Sequence, residues 1–334
     1  MKTIAVIGAG MSGISLAIML KKAFKMIIFE KSSKTGGRLA TKERKPFNFD
    51  HGTQYFKVNN SEFKKFLNPL LTRSIIKPWV FRYIEVGNNV IKNKNVKEYE
   101  KCFVGVPKMN SITDFLSKEL DIRLNTKIVK VRKNGKKWMI YDSNNNSYGT
   151  YDWIVFTTPA VQTCEIIPNN FAFFSLINSL KMKGCYSLLL GFHKKIKLAY
   201  DAAFYHNNDI SWLAKNNSKP GRQKNISLVI NSSYEYAEKK KNVPKKFILN
   251  DLLKKSCKLL KQKLIPDIKI LHKWNFVESE KYPSENFFLD LNQNLAVCGD
   301  WCINSRVEGA FLSAKCLSDK IRKIHERNSN TNEK

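Results

Sequence analysis

Near the N-terminus, short apolar runs alternate with glycine. Ile4 to Ile7 is an uninterrupted apolar run, the mark of a strand buried on both faces in a parallel sheet. Gly8 follows at once, and Ile14 to Lys22 has helical spacing. A second run, Met26 to Phe29, ends at Glu30. Further along, the pattern predicts a helix near Ser111 to Glu119 and strands at Lys127 to Arg132, Lys137 to Tyr141 and Trp153 to Phe156. Gly135 and Asn144-Asn145-Asn146 mark hairpin turns between them. Strand-like runs also cover Trp79 to Val86, Cys185 to Phe192, Ile226 to Ile230 and Lys269 to Val277. Leu249, Leu252, Leu253, Leu259 and Leu260 give a helix over Phe247 to Lys263. Leu295 to Val297 reads as one more buried strand, and a helix runs from Glu308 to about Arg322.

The glycines after the first strand change this outline into a ligand prediction. Gly8-x-Gly10-x-x-Gly13 sits between strand and helix, where Gly8 permits a tight turn, Gly10 lets backbone approach a pyrophosphate and Gly13 allows close helix–strand packing. Met11 and Ser12 open the helix, whose free N–H groups and partial positive charge suit phosphate. Glu30 lies roughly 20 residues on, the separation expected of a ribose-binding carboxylate, with Lys31 beside it. Gly36-Gly37-Arg38 then adds a second glycine pair that a short nicotinamide site does not need. Arg38 suits a pyrophosphate, unless it is a surface arginine. At the other end of the chain, Gly299-Asp300 follows the last strand and Glu308-Gly309-Ala310 opens the last helix. Asp300 is a candidate for a ribityl hydroxyl, and the helix N-terminus for negative charge on a reduced flavin. The two ends together predict FAD. The competing explanation is a plain strand-turn-helix that closes the sheet.

Taken together, these residues resemble the FAD-dependent amine-oxidase-like superfamily, and within it the renalase-like branch. Asp50-His51-Gly52-Thr53-Gln54-Tyr55-Phe56 is similar to that branch's D-x-G-A-Q-Y-F element, with Thr53 in place of Ala. Trp212-Leu213-Ala214-Lys215-Asn216-Asn217-Ser218-Lys219-Pro220-Gly221-Arg222 resembles its W-x-A-x-N-x-S-K-P-G-R element. Asp152 to Pro159 resembles a strand that ends beside the cofactor, and Gly299 to Ala310 the closing motif. The likeness spans nearly the whole chain and is weakest between Lys57 and Lys101. It implies an α/β fold: a Rossmann-like FAD-binding domain of glutathione-reductase type with a second, mixed β-sheet plus helix substrate domain. The expected division gives 1–56, 106–159 and 294–325 to the FAD domain, and 57–105 and 160–293 to the substrate domain. The backbone at Val129 would border the adenine, unless Val129 is simply strand core.

The implied activity is hydride transfer from isomeric 2- or 6-dihydro-NAD(P) to flavin, with O2 as acceptor and hydrogen peroxide as product. Two alternatives stay open: an amine oxidase or desaturase acting on an apolar compound, and a non-catalytic FAD-binding partner protein. Gln54 and Tyr55 are the candidates for the reacting face, Tyr55 competing with a core role. Trp212 and Trp274 are candidate walls of a flat pocket or plain core residues. Asn216 and Arg222, with Lys219, hold a substrate phosphate or carboxylate, or else belong to a solvated Pro-Gly turn. His51 is the histidine nearest this site, and a structural role suits it better.

Composition adds limits. The chain has 334 residues with 43% hydrophobic content, enough for two domains. Its formal charge of +30 invites a nucleic-acid reading. The charges are scattered, however, and Lys outnumbers Arg roughly five to one, so no nucleic-acid partner is expected. The seven cysteines form no framework and no zinc spacing, which suits a reducing cytoplasm and predicts no metal. Met1 to Leu20 superficially resembles a signal peptide, but cleavage there would remove the nucleotide loop. No apolar stretch is long enough to predict a membrane span.

Overall fold

The computed structural model describes residues 1–87, 90–96 and 102–331, so part of the 57–105 stretch lies outside the described residues. Thr3–Ile7 forms a central strand because Ile4, Ala5, Val6 and Ile7 are buried on both faces. It pairs in parallel with Lys25–Phe29 on one side and Trp153–Phe156 on the other. Asp121–Arg123 and Leu295–Val297 extend the parallel sheet, and Phe288–Asp290 closes one edge antiparallel, giving six strands. One face carries helices Met11–Leu20 and Val307–Thr331, which meet Ile4, Val6, Val155 and Ala296 through Ile14, Leu16, Ala314 and Leu317. The other carries an antiparallel meander, Lys130–Asn134, Lys137–Tyr141 and Ser147–Tyr151, whose Val131, Trp138 and Ile140 pack on Ile7, Ile154 and Phe156.

The second sheet has seven strands in the order Ile268–Ser279, Met182–Phe192, Ile226–Ser232, Ile210–Lys215, Ala202–Tyr205, Phe81–Gly87 and Val90–Val96. Only the pairing of Ala202–Tyr205 with Phe81–Gly87 is parallel, so the sheet is mixed. In Met182–Phe192, Tyr186, Leu188 and Leu190 face helices Tyr234–Lys239 and Lys245–Leu259 through Tyr236, Ile248 and Leu252. The alternate residues Cys185, Ser187 and Leu189 face the opposite way, as a period of two requires. A ribbon of Thr41–Arg44 and Phe47–Asp50 reaches over from the first sheet, and its Phe47 and Phe49 pack on Leu189 and Val229. The fold is therefore the expected α/β arrangement of a Rossmann-like unit and a second mixed sheet.

The differences from the sequence reading are local. The first helix begins at Met11 and ends at Leu20, a turn earlier than its apolar spacing suggests, because the glycine loop itself feeds it. The Trp79 to Val86 run starts two residues later than expected, as Phe81–Gly87, and a separate short strand, Ile76–Pro78, precedes it and pairs with Phe103–Gly105. Residues after Phe156 stay with the first sheet: Ala160, Ile167, Phe171 and Ile177 join its core, as does the Phe288–Asp290 strand. Among the described residues no disulfide joins the cysteines. Among the described residues no helix is long and apolar enough to cross a membrane, and no cluster of metal-ligating side chains occurs.

Candidate active site

A cleft of about 1300 Å³ runs between the two sheets, larger than the roughly 300–1,000 Å³ typical of small-molecule pockets. One wall is the nucleotide loop. Gly8 sits at φ +111° and donates its N–H to the Phe29 carbonyl at 2.8 Å, which bends the chain out of the strand. A Cβ on Gly13 would lie 2.1 Å from the Gly8 carbonyl oxygen, so only glycine allows the helix this close. A Cβ on Gly10 would meet nothing within 4 Å: the space in front of it is open cleft. The helix that starts at Met11 has no side-chain cap, leaving its first N–H groups for a ligand. Glu30 stands at the end of the neighbouring strand and accepts from Ala9 N at 2.9 Å and Ser32 N at 2.8 Å. Lys31 and Gly37 line the same end, and Gly37 is held at φ +55°.

Farther along, the Arg38 guanidinium donates to the Asp300 carboxylate and, at 2.8 Å, to the Val277 carbonyl. The two residues expected to meet different parts of the cofactor are thus paired with each other, at the edge of the cleft that both line. Glu308 and Ala310 also line it. The Glu308 carboxylate accepts from the N–H groups of Asn59 and Asn60, at 2.7 and 2.9 Å, tying the last helix to the segment leading into helix Ser61–Thr72. Gly309 and Gly299 serve behind the wall. A Cβ on Gly309 would strike the Asn304 side chain at 2.3 Å, and one on Gly299 the Trp301 indole at 2.6 Å. Val129 differs from the expectation. Thr126, Lys127 and Ile128 line the cleft, whereas Val129 lies behind them with its N–H given to the Tyr141 carbonyl at 2.9 Å. Thr157, Thr158 and Pro159, at the end of the Trp153–Phe156 strand, border the glycine loop as the resemblance implies.

The opposite wall comes from the second sheet. Cys185 pairs with Trp274, Ser187 with His272, and Ser187 also with Asn231, so strand register puts all these side chains on one face. His51, from the first third of the chain, lies over them, its ring 4.6 Å from His272 and 5.1 Å from Trp274. The Trp274 indole donates to the His51 carbonyl at 2.8 Å. Burial holds the His51 pKa down to about 4, with the neighbouring His272 working in the same direction, and burial also lowers that of His272. Both imidazoles are neutral at pH 7. An unfolded histidine titrates near 6.5, so stability from this pair is full above that value and falls as pH drops towards the folded values. Acid melts should show His51→Phe, which cannot titrate, losing less stability between about pH 6.5 and 4 than the parent chain does.

Three substrate candidates fall elsewhere. Trp212 is buried behind Tyr55 and Tyr83 and does not line the cleft, because its strand register turns it towards that aromatic cluster. Asn216 is fully buried, accepting from Asp50 N at 3.2 Å and donating to the Asn48 carbonyl at 2.9 Å. The Arg222 side chain is buried too. It holds a carboxylate, but the chain's own: Nη2 and Nε reach Asp50 Oδ2 at 2.7 and 3.1 Å, and Nη1 the Gly105 carbonyl at 2.6 Å. The second basic residue of that motif, Lys219, meets the same Asp50 oxygen at 3.2 Å. The anion for this motif was therefore in the sequence, 172 residues before Arg222. Gln54, Tyr55 and Trp274 do line the cleft. The sequence reading missed His272, Asn231, Cys185, Lys42 and Arg306. Alternation along the Lys269 to Val277 run was the available signal for His272, since it lies two residues before Trp274.

Residues 6–70 match an NAD(P)-binding Rossmann-like domain, and residues 89–321 match flavin-containing amine oxidoreductase. The chain belongs to the flavin-containing amine oxidoreductase family. Its cofactor is FAD, and it is an FAD-dependent oxidoreductase, which sets aside the binding-only alternative. Solved structures agree in fold. A protein assigned as a protoporphyrinogen oxidase, from Exiguobacterium sp. 255-15, superposes with a TM-score of 0.80 at 10% identity, covering 96% of this chain and 98% of its own. Wild-type putrescine oxidase bound to putrescine gives 0.70 at 11% identity, covering 96% and 99%. Cyclohexylamine oxidase from Brevibacterium oxydans IH-35A gives 0.72 at 9%, covering 96% and 99%. The open space before Gly10, the uncapped helix and the carboxylate of Glu30 fit the adenosine and pyrophosphate of FAD.

Proposed function

We propose that this chain is an oxidase that removes a hydride from a carbon adjoining nitrogen in a flat, anionic substrate. The isomeric 2- and 6-dihydro forms of NAD(P) are the compounds that the sequence resemblance suggests. The observation carrying this reading is the wall facing the nucleotide loop. There the rings of His51, His272 and Trp274 stand together, with Lys42 and Arg306 along the same cleft. A cationic field favours phosphate-bearing molecules and disfavours protonated aliphatic amines. The neutral imidazoles offer flat contacts and one donor each without adding charge. The reading keeps the family's chemistry, because positions 2 and 6 of the dihydropyridine ring adjoin its nitrogen as an amine's α-carbon does.

In this reading FAD, when bound, supplies the hydride acceptor. The Gly8 to Gly13 loop and the Met11–Leu20 helix hold its pyrophosphate, with Glu30 and Lys31 at the ribose end and Arg38, Gly37 and Asp300 farther along. The N-terminus of Val307–Thr331 favours negative charge on the group bound before it. Trp274 and Tyr55 orient the substrate. Oxygen is the expected acceptor, and cysteines that form no disulfide framework suit a cytoplasmic setting. We assign the first sheet, with 1–56, 106–159 and 294–325, to the cofactor domain, and 57–105 with 160–293 to the substrate domain. Packing suggests moving Phe288–Asp290 and the residues just after Pro159 to the former.

Oxidation of a simple amine is the second reading. Similarity to putrescine and cyclohexylamine oxidases favours it, as do Glu43 and Glu165, carboxylates that line the cleft. The two separate on anaerobic mixing of the flavin-loaded protein with 2- and 6-dihydro-NAD(P), putrescine and cyclohexylamine, followed by flavin absorbance. We expect bleaching by the dihydro-dinucleotides, reversed by air with formation of hydrogen peroxide. Bleaching by amines alone would replace the proposal with the second reading.

A further inference from the structure

The Ser218-Lys219-Pro220-Gly221-Arg222 motif has no place in the cleft, yet it is built around the residue that carries the cleft wall. Asp50 is fully buried and faces two cations. Lys219 and Arg222 both reach its Oδ2, while Thr41 Oγ1 donates to Oδ1 at 2.6 Å. Lys219 makes one further contact, at 3.3 Å, with Oε1 of Gln54, which lines the cleft. The Trp79 ring, 5.2 Å away, and Arg222 also stand near the ammonium.

An ammonium has three donors and no acceptor, so the oxygen end of the Gln54 amide must face it. The NH2 end then donates to the Asp50 and Gly52 carbonyls at 2.6 and 3.1 Å, folding the side chain over its own 50–54 turn. We propose that Lys219 is a positioning residue: by holding the Gln54 amide in one orientation from behind the wall, it fixes the 51–55 segment, and with it His51 and Tyr55, against the reacting space. This role rests on the cleft being the flavin site, and not on which substrate enters it.

Two buried cations share one carboxylate, and of the two only lysine can release its proton near neutrality. Burial, reinforced by Arg222 and opposed by Asp50, brings the Lys219 pKa down to about 8. Above that value the amine loses its charge-assisted hold on the Gln54 oxygen, and only the Asp50 and Gly52 carbonyls are left to orient the amide. The flavin-loaded full-length protein, its Lys219→Met and Gln54→Leu variants and the double variant are to be compared by circular dichroism in the flavin bands from pH 6 to 10. Lys219→Met leaves a neutral one-to-one Asp50–Arg222 pair, and Gln54→Leu leaves the whole ion cluster, so at least one is expected to fold.

In the parent a spectral transition centred near pH 8 is expected. Each single variant should lack it, and the double variant should equal the singles, as coupled residues do. Reduction by the best reductant should slow tenfold or more in both singles. Parent-like spectra and an unchanged pH transition in folded Lys219→Met or Gln54→Leu overturn the proposal. A chain that takes up no flavin in any form overturns the cofactor site instead, which keeps the two failures apart.

Discussion

Asp50→Asn is expected to be the most damaging conservative change in the molecule. The carboxylate is fully buried and is the counter-ion of both Lys219 and Arg222. Burial opposes its ionisation, but the two cations and the Thr41 hydroxyl overcome this and lower its pKa. Removing one partner of a buried ionic cluster typically costs about 3–5 kcal/mol, a large share of the roughly 5–15 kcal/mol that holds a domain folded. Urea denaturation at pH 7 measures it. Adding Lys219→Met to Asp50→Asn should recover part of the loss, because one stranded cation is better than two. In the parent this contribution is complete above the unfolded carboxyl value of about 3.9, and is lost as pH falls through the lower folded value. Asp50→Asn should therefore flatten that acid limb. An Asp50→Asn chain as stable as the parent would remove the cluster from the list of what holds the two sheets together.

The second large effect separates two glycines three residues apart. A Cβ at Gly10 meets no protein atom, and Gly10 has φ −78°, which alanine adopts freely. Gly10→Ala should thus change stability by no more than about 0.5 kcal/mol. The methyl group would project into the space proposed for the pyrophosphate. An overlap there of about 1–3 kcal/mol weakens FAD binding about 5- to 150-fold. Gly13→Ala acts on the protein itself: its Cβ would lie 2.1 Å from Gly8 O and 2.8 Å from Thr157 Oγ1, so the helix must move off the strand. Both stability and binding should fall. Apo-protein denaturation and FAD titration, read together, test the contrast. Equal stability losses in the two variants would show that Gly10 is not the open approach described.

What the sequence disclosed follows from the range of the interactions. Ile4 to Phe29 is a local story, in which apolar run, glycine spacing and terminal acid all act within one strand-helix-strand unit. It is readable without knowing the rest of the chain. Asp121–Arg123 contributes one partly buried residue, Ile122, to an edge strand, too little pattern to be seen. Arg222 and Lys219 looked suited to an outside anion because their partner is far away in the chain and only the fold brings Asp50 to them. Trp212 and Trp274 are the same residue type with opposite fates. One turns towards Tyr55 and Tyr83, the other towards the cleft, and only strand register distinguishes them. Their motifs mark Arg38 and Asp300 as expected cofactor contacts, and both line the cleft. Their pairing across 262 residues was beyond any local pattern.

The pairing of the Met11–Leu20 helix with Val307–Thr331 has a consequence for how the chain is made. The first helix is buried along most of its length, at Met11, Ile14, Leu16, Ala17 and Leu20 among others, and much of its cover is Ala314, Leu317 and Ile321. Those residues leave the ribosome about 300 positions after the helix does. At roughly 5–20 residues per second, an almost wholly apolar helix is uncovered for on the order of 15–60 s. A protein of this design asks its host for chaperone protection during synthesis, and charge spread over the rest of the surface helps keep the unfinished chain dissolved.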